Sequence, residues 1–181
     1  LHQHFRKGFM NKKLKKIKLI VLDVDGTITD GKIYRNNEGI EIKAFDVKDG
    51  FAIANCPSEG IEVAIVTGRQ SKVVEKRAEE LKIKYCYQGI HDKASKLKEL
   101  TESIGITLEE VCYIGDDIND LPAINIAGFT ATPKDGVEEV LSIVDYVAKS
   151  KGGKGAIREV IELILREQDK WGNIIRKYNT K

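Results

Sequence analysis

Cysteine is scarce in this sequence, and what there is cannot be paired into a framework. Cys56, Cys86 and Cys112 are odd in number, widely spaced and include no Cys-x-x-Cys. That excludes a disulfide scaffold or a thiolate zinc site, and it fits a reducing, cytoplasmic setting. Long apolar runs are missing as well: no stretch approaches the ~20 residues needed to span a bilayer, so no membrane partner is expected. Nor does one sign of charge dominate. Lysine and arginine number 30 against 28 acidic residues, a formal net charge of +2, which lacks the basic excess of a nucleic-acid binder. The one basic run, Lys12, Lys13, Lys15, Lys16 and Lys18, reads as solvated surface. Repeats, low-complexity tracts and linkers are absent, and Gly152-Gly153-Lys154-Gly155 reads as a loop before the final helix. Residues 1–10 lack the apolar centre of a secretory signal. Residues 1–15 are read as a leader or expression remnant, with Met10 a candidate start, and 172–181 as a C-terminal tail. What remains, at 41% hydrophobic and 32% charged overall, suffices for one packed domain over 16–171.

Short apolar runs alternate with helix-like segments. Strands are expected at 17–22, 62–66 and 111–114, with weaker ones at 128–131 and 145–148. Helical patterns cover 50–58, 70–81, 93–104, 121–127 and 137–143, and Thr107 with Glu110 has capping-box spacing. In the last helix Ile157, Val160, Ile161, Ile164, Leu165 and Trp171 share one 3.6-residue face. The alternation predicts an α/β fold: a Rossmann-like, three-layer arrangement with a mostly parallel sheet. One segment breaks it. Residues 32–45 read as a β-hairpin turning at Asn36-Asn37-Glu38-Gly39. A lone two-stranded ribbon is marginal in water, so the hairpin is expected to pack against another subunit.

The ends of the strong strands carry the polar chemistry. In Leu22-Asp23-Val24-Asp25-Gly26-Thr27 the two aspartates lie two apart on extended chain, so their side chains leave one face. Neighbouring carboxylates repel unless a cation neutralises one or a proton does. The third strong strand ends alike, in Ile114-Gly115-Asp116-Asp117-Ile118-Asn119-Asp120. Ligand crevices of open α/β sheets lie outside the carboxyl ends of strands, so both clusters should meet at one mouth. Hard carboxylate oxygens there, without His or Cys, suit Mg²⁺. Taken alone, the Asp-x-Asp-Gly segment is equally compatible with a surface acidic turn. The second strand ends in Val66-Thr67-Gly68-Arg69, where a hydroxyl, a glycine amide and a helix N-terminus form either an anion site or a plain helix cap. Lys93 opens the next helix and supplies either a site charge or a solvated side chain. His91 and Asp92 read as loop and cap.

In this order the four segments resemble the haloacid-dehalogenase superfamily of phosphatases, over roughly residues 16–165. The resemblance implies that Asp23 is the nucleophile and passes through an aspartyl-phosphate. Asp25 would protonate the leaving oxygen and later activate water, while Thr67, Gly68 and Lys93 meet the transferring phosphoryl. Mg²⁺ would sit on the Asp23 carboxylate, the Asp25 backbone carbonyl and Asp116, with Asp117 or Asp120 ordering its water or orienting Lys93. An acid at position 25 favours ester hydrolysis over the ATPase and dehalogenase branches. Neither place for a cap domain has room, since 26–50 holds only the hairpin and 70–92 one helix and a connector. A capless site implies a macromolecular substrate or a neighbouring subunit as cover.

Further segments decide between these. Asp30-Gly31, Phe45-Asp46-Val47-Lys48-Asp49-Gly50, Tyr87-Gln88-Gly89 and Gly152 through Glu159 resemble the 3-deoxy-D-manno-octulosonate 8-phosphate phosphatase family. That likeness implies a small sugar-acid phosphate as substrate and a homotetramer in which hairpins assemble and neighbours close each site. Arg69, Lys48, Lys154 and Arg158 are then candidates for the substrate carboxylate, with a bidentate arginine the apt contact. Arg69 tilts the reading away from nine-carbon sugar-acid 9-phosphates, the alternative substrates. A catalytically idle oligomerisation domain is the alternative of another class.

Overall fold

The computed structural model describes the backbone of residues 2–180 and the side chains of 8–180. After α1 (His2–Lys16) come β1 (Leu19–Leu22), the hairpin strands β2 (Tyr34–Arg35) and β3 (Glu41–Ile42), and α2 (Val47–Asn55). Next follow β4 (Glu62–Val66), α3 (Lys72–Glu80), β5 (Tyr85–Tyr87), α4 (Lys93–Ile104) and β6 (Val111–Ile114). The chain continues through α5 (Leu121–Ile124), β7 (Phe129–Thr132), α6 (Glu138–Leu141), β8 (Tyr146–Val147), α7 (Ala156–Glu167) and α8 (Trp171–Tyr178).

β1 and β6 are apolar at every position because they lie in the middle of a parallel sheet and are covered on both faces. The sheet order is β5-β4-β1-β6-β7-β8, with every neighbouring pair parallel. Leu19, Val21, Ala64, Val66, Val111 and Tyr113 face Leu97 and Leu100 of α4, Ala123 of α5 and Val140 of α6. The alternate residues, among them Ile20, Leu22, Ile65 and Ile114, face Ala52 and Ile53 of α2, Val74 of α3 and Ile157, Val160 and Ile161 of α7. This is the expected three-layer α/β arrangement.

Two readings of the sequence are corrected. Residues 85–87, taken as connector, form an edge strand paired with β4; three residues preceded by Lys82 and Lys84 and followed by Gln88 and Gly89 are too short to stand out as a period-two run. The final helix is two helices. Asp169 takes φ 56, a left-handed conformation that aspartate tolerates better than most residues, and Trp171 begins α8 instead of ending α7. Trp171 is buried all the same, as are Ile174 of α8 and Leu14 of α1. Helices therefore pack on the domain from both flanking segments, and the Gln168 amide donates to the carbonyls of Leu14 (2.8 Å) and Ile17 (2.9 Å).

Topology places the crevice. From β1 the chain runs outward through β4 and β5, then returns to fill the other side with β6, β7 and β8. Connections thus diverge at the carboxyl end of β1, the switch point where open sheets bind ligands. Leu22 pairs with both Ile65 and Ile114, so three strands end nearly flush and their next residues share one rim. The hairpin pairs Tyr34 with Ile42 and Arg35 with Glu41. Its turn is held by the Asn36 side chain, which accepts from the Glu38 (3.1 Å) and Ile40 (2.8 Å) amides.

Candidate active site

Asp23 leaves β1 buried, with its carboxylate accepting from Lys93 Nζ at 2.9 Å. Lys93 is the first residue of α4, capped by Asp92, which accepts from the Ser95 amide. The same ammonium donates to Asp120 Oδ1 at 2.7 Å, where the Tyr113 hydroxyl also donates at 2.5 Å. Asp120 Oδ2 accepts the Asp116 and Asp117 amides at 2.9 and 3.1 Å. Asp120 therefore has both oxygens committed, to Lys93 and to the turn that presents Asp116.

Carboxylate oxygens of Asp23, Asp116 and Asp120 lie within 4.8 Å of one another. Since Asp120 is saturated, Asp23 and Asp116 are the members of this cluster with oxygens left that could hold a cation, two hard-oxygen donors of the kind Mg²⁺ takes. Thr27 orients Asp116 by donating to its Oδ1 at 2.9 Å. Gly26, at φ 88, lies so close that a β-carbon there would come within 2.0 Å of Asp116 Oδ2. The turn after Asp25 thus demands glycine for space as well as for backbone sign.

Asp23, Asp25, Thr67, Gly68, Arg69, Asp117 and Asn119 line a cavity of about 130 Å³ at this rim. That is room for a small polar group such as a phosphoryl at the rim. Lys48 and Lys154 are exposed and do not line this cavity. Arg158 is engaged elsewhere. Its guanidinium stacks 5.4 Å from Phe51 and 4.7 Å from Trp171, and its Nε donates to Glu162 at 3.2 Å. Its backbone amide donates to Asp49 Oδ1 at 2.8 Å. Two segments singled out in the sequence, around Asp49 and around Arg158, therefore meet each other, with a carboxyl of α2 capping the first turn of α7. The glycine loop has a similar reason: a β-carbon on Gly152 would fall 1.9 Å from the Gly26 carbonyl oxygen.

Sequence reasoning missed Glu41 and Lys43. Lys43 Nζ donates to Asp25 Oδ1 at 2.5 Å and lies 3.0 Å from Glu41 Oε1. Arg69 Nη2 donates to Glu41 Oε2 at 2.6 Å, and its Nη1 is 3.5 Å from Asp25 Oδ2. Charged residues alternating with Ile40 and Ile42 were the available signal.

The chain matches the haloacid dehalogenase-like hydrolases over residues 20–91 and 88–161. It is 42% identical over 158 residues to the 3-deoxy-D-manno-octulosonate 8-phosphate phosphatase of Escherichia coli K12, covering 87% of this chain and 84% of that protein. The Yersinia pestis protein of that name is 44% identical over 154 residues, covering 85% and 82%. It belongs to that phosphatase family of the haloacid dehalogenase-like hydrolases. The Moraxella catarrhalis phosphatase, crystallised with magnesium, phosphate and 3-deoxy-D-manno-octulosonate (KDO), superposes with a TM-score of 0.91 at 44% identity. That match covers 94% of this chain and 98% of the other. A cobalt-bound Haemophilus influenzae relative gives 0.84 at 39% identity, covering 87% and 92%.

Electrostatics in this hydrolase point the same way as its ligand set. Burial, and next the neighbouring Asp23, push the Asp116 carboxyl up to about 8; burial and then Asp120 push Asp23 up to about 6, against the pull of Lys93. The metal-free folded state therefore keeps protons that the unfolded chain releases near 3.8. By linkage its stability falls as pH rises from about 4 to about 8. Metal binding displaces those protons, so Mg²⁺ should stabilise more as pH rises through the same window. The expected result is a larger Mg²⁺-induced rise in melting temperature at pH 8 than at pH 6. Chelator should remove activity, Mg²⁺ restore it, and Ca²⁺ substitute poorly. A Mg²⁺ shift equal at both pH values would remove Asp23 and Asp116 from the ligand set.

Proposed function

We propose that this chain is a Mg²⁺-dependent phosphatase that hydrolyses 3-deoxy-D-manno-octulosonate 8-phosphate through an aspartyl-phosphate on Asp23. The observation that carries the proposal is the buried Asp23–Lys93–Asp120 chain at the switch point, in a chain 42% identical to phosphatases of that name. Lys93 fixes one Asp23 oxygen and leaves the carboxylate to attack phosphorus. The phosphorus–oxygen bond to the sugar breaks, and Asp25 delivers a proton to the departing alkoxide. Asp25 then takes a proton from water as that water attacks the aspartyl-phosphate, releasing phosphate and restoring both side chains. Thr67, the Gly68 amide and the Lys93 ammonium offset charge on the transferring group. Bound Mg²⁺ supplies the remaining positive charge.

Arg69 lies at the mouth and suits the substrate carboxylate, which would displace Glu41 from it. Lys48 and Lys154 are exposed enough to serve another subunit's site, whereas Arg158 acts through packing. The expected assay result is a kcat/KM for the eight-carbon phosphate exceeding that for a nine-carbon sugar-acid 9-phosphate by ten-fold or more, about 1.4 kcal/mol of discrimination. Equal rates would withdraw the eight-carbon assignment. No phosphate release from either substrate would favour the idle oligomerisation domain.

The active form we propose is a homotetramer built on the hairpin, with neither nucleic acid nor membrane as partner. Three free thiols favour the cytoplasm, and among the described residues no helix is long and apolar enough to cross a membrane. Tyr34, which pairs with Ile42, is exposed by 40%, and Ile40 and Ile42 by 55% and 54%, an apolar ribbon face that pairing with identical copies would cover. Replacing Ile40 and Ile42 together by Asp should give smaller species in solution. Those species should use the sugar phosphate poorly yet retain activity on a small aryl phosphate. A monomeric, fully active wild-type protein at micromolar concentration would end the proposal.

A further inference from the structure

Along β3 the side chains alternate between two faces. Ile40 and Ile42 face outward, whereas the Lys43 side chain is 2% exposed and that of Glu41 16%. An ammonium so far from water is tolerated only where acceptors meet it. Lys43 has Asp25 Oδ1 at 2.5 Å and Glu41 Oε1 at 3.0 Å. Arg69 closes the circuit, 3.5 Å from Asp25 Oδ2 and 2.6 Å from Glu41 Oε2. The four side chains form a ring of alternating charge. Asp25 and Arg69 belong to the lining of the mouth; Lys43 and Glu41 come from the hairpin and do not line it.

We propose that Lys43 is a positioning residue for the acid/base of this hydrolase. Its ammonium holds the Asp25 carboxyl turned toward the oxygen that leaves phosphorus, and Glu41 keeps Lys43 and Arg69 in place. The proposal rests on Asp25 acting as the acid, as above. Proton delivery requires hydrogen-bond reach to the leaving oxygen. Asp25 stands on a turn whose glycine has no side chain to pack against it, so its carboxyl takes its direction from Lys43 and Arg69. Arg69 is the less suited to fix it, being 39% exposed and needed by the substrate. The ribbon thus carries two messages on its two faces. Its outer face is offered to other subunits, and its inner face sets the orientation of a group in its own active site.

The test compares full-length Lys43→Met, Lys43→Arg, Asp25→Ala and the double variant Asp25→Ala/Lys43→Met, all with Mg²⁺. Each is assayed on the eight-carbon sugar phosphate and on an aryl phosphate, whose leaving group needs little help from a proton. Misplacing a reacting group by about 1 Å costs on the order of 10²-fold. Lys43→Met should therefore lower kcat on the sugar phosphate by roughly 30- to 100-fold. On the aryl ester the loss should stay within about five-fold, with KM for the sugar phosphate within about three-fold. Lys43→Arg should recover most of the lost rate. The double variant should be no slower on the sugar phosphate than Asp25→Ala alone, because Lys43 acts only through Asp25.

Equal losses on both esters would overturn the proposal, as would a raised KM with kcat intact or losses that multiply in the double variant. If Asp25→Ala itself loses equally on both esters, the acid assignment falls first, and the two failures are told apart. Should Lys43→Met not fold, Glu41→Gln is read by the same criteria, since it weakens the hold on Lys43 without removing the buried ammonium.

Discussion

Asp23→Asn should lower kcat by roughly 10⁴-fold or more on every ester, while leaving the fold intact. The amide has the shape of the carboxylate but no charge and no nucleophilicity. The structure adds a second expectation, about stability. Asp23 is held up at about 6 because its burial and the nearby Asp120 outweigh the attraction of Lys93. Its ionised form is thus disfavoured in the metal-free fold, and at pH 8 the native state carries that cost. An asparagine does not ionise. The metal-free variant should therefore melt no lower than the wild type at pH 8, and the advantage should shrink as pH falls through about 6 and vanish below about 4. Its response to Mg²⁺ should shrink, since one of the two proposed carboxylate ligands would be gone. Retention of more than about a tenth of the wild-type kcat would remove Asp23 from the nucleophile's role. A much lower melting temperature at pH 8 would mean that the Lys93 contact outweighs the burial of the charge.

The parts of this site that were legible in the sequence are those whose placement is dictated by a strand end. Asp23, Thr67 and Asp116 each follow an apolar run, and parallel strands that end flush must bring their next residues to one rim. Lys93 was legible only through its order among the other motifs, because a lysine at a helix start carries no local mark of burial. Arg158 shows how much of a side chain's surroundings is tertiary. Its basic side chain next to a glycine loop suggested an anion, whereas two aromatic rings and Glu162 from three different turns of chain claim it. Lys43 and Glu41 were missed because their alternation with Ile40 and Ile42 puts them on one face, whereas the fold-back of that face over Asp25 is a tertiary event. The break at Asp169 was missed for a related reason. The apolar period passes through it undisturbed, while the bonds of Gln168 to the Leu14 and Ile17 carbonyls and the burial of Trp171 and Ile174 are long-range contacts that the period does not show.

Lys93→Met is the substitution expected to damage both stability and turnover. The Lys93 ammonium is 1% exposed and bridges Asp23 and Asp120, whose side chains are 7% and 0% exposed. Methionine fills a similar volume but leaves two buried carboxylates without their cation, with Asp116 close by. Removing one member of such a buried network costs about 3–5 kcal/mol. Asp23 would lose the one side chain that lowers its pKa and would rise further above about 6. The deficit should therefore be larger at pH 8 than at pH 5, where protonation removes the repulsion. Mg²⁺ should recover part of the stability at pH 8, because an ion held by Asp23 and Asp116 offsets part of the positive charge lost between Asp23 and Asp120. It should not recover turnover. The transferring phosphoryl would still lack the ammonium that meets its developing charge, and a loss of roughly 10³-fold in kcat at saturating Mg²⁺ is expected. Thermal melts with and without Mg²⁺, read beside single-turnover rates, separate the two effects. If saturating Mg²⁺ restored kcat together with stability, Lys93 would be a structural counter-ion for the acidic cluster, and its role in phosphoryl transfer would have to be given up.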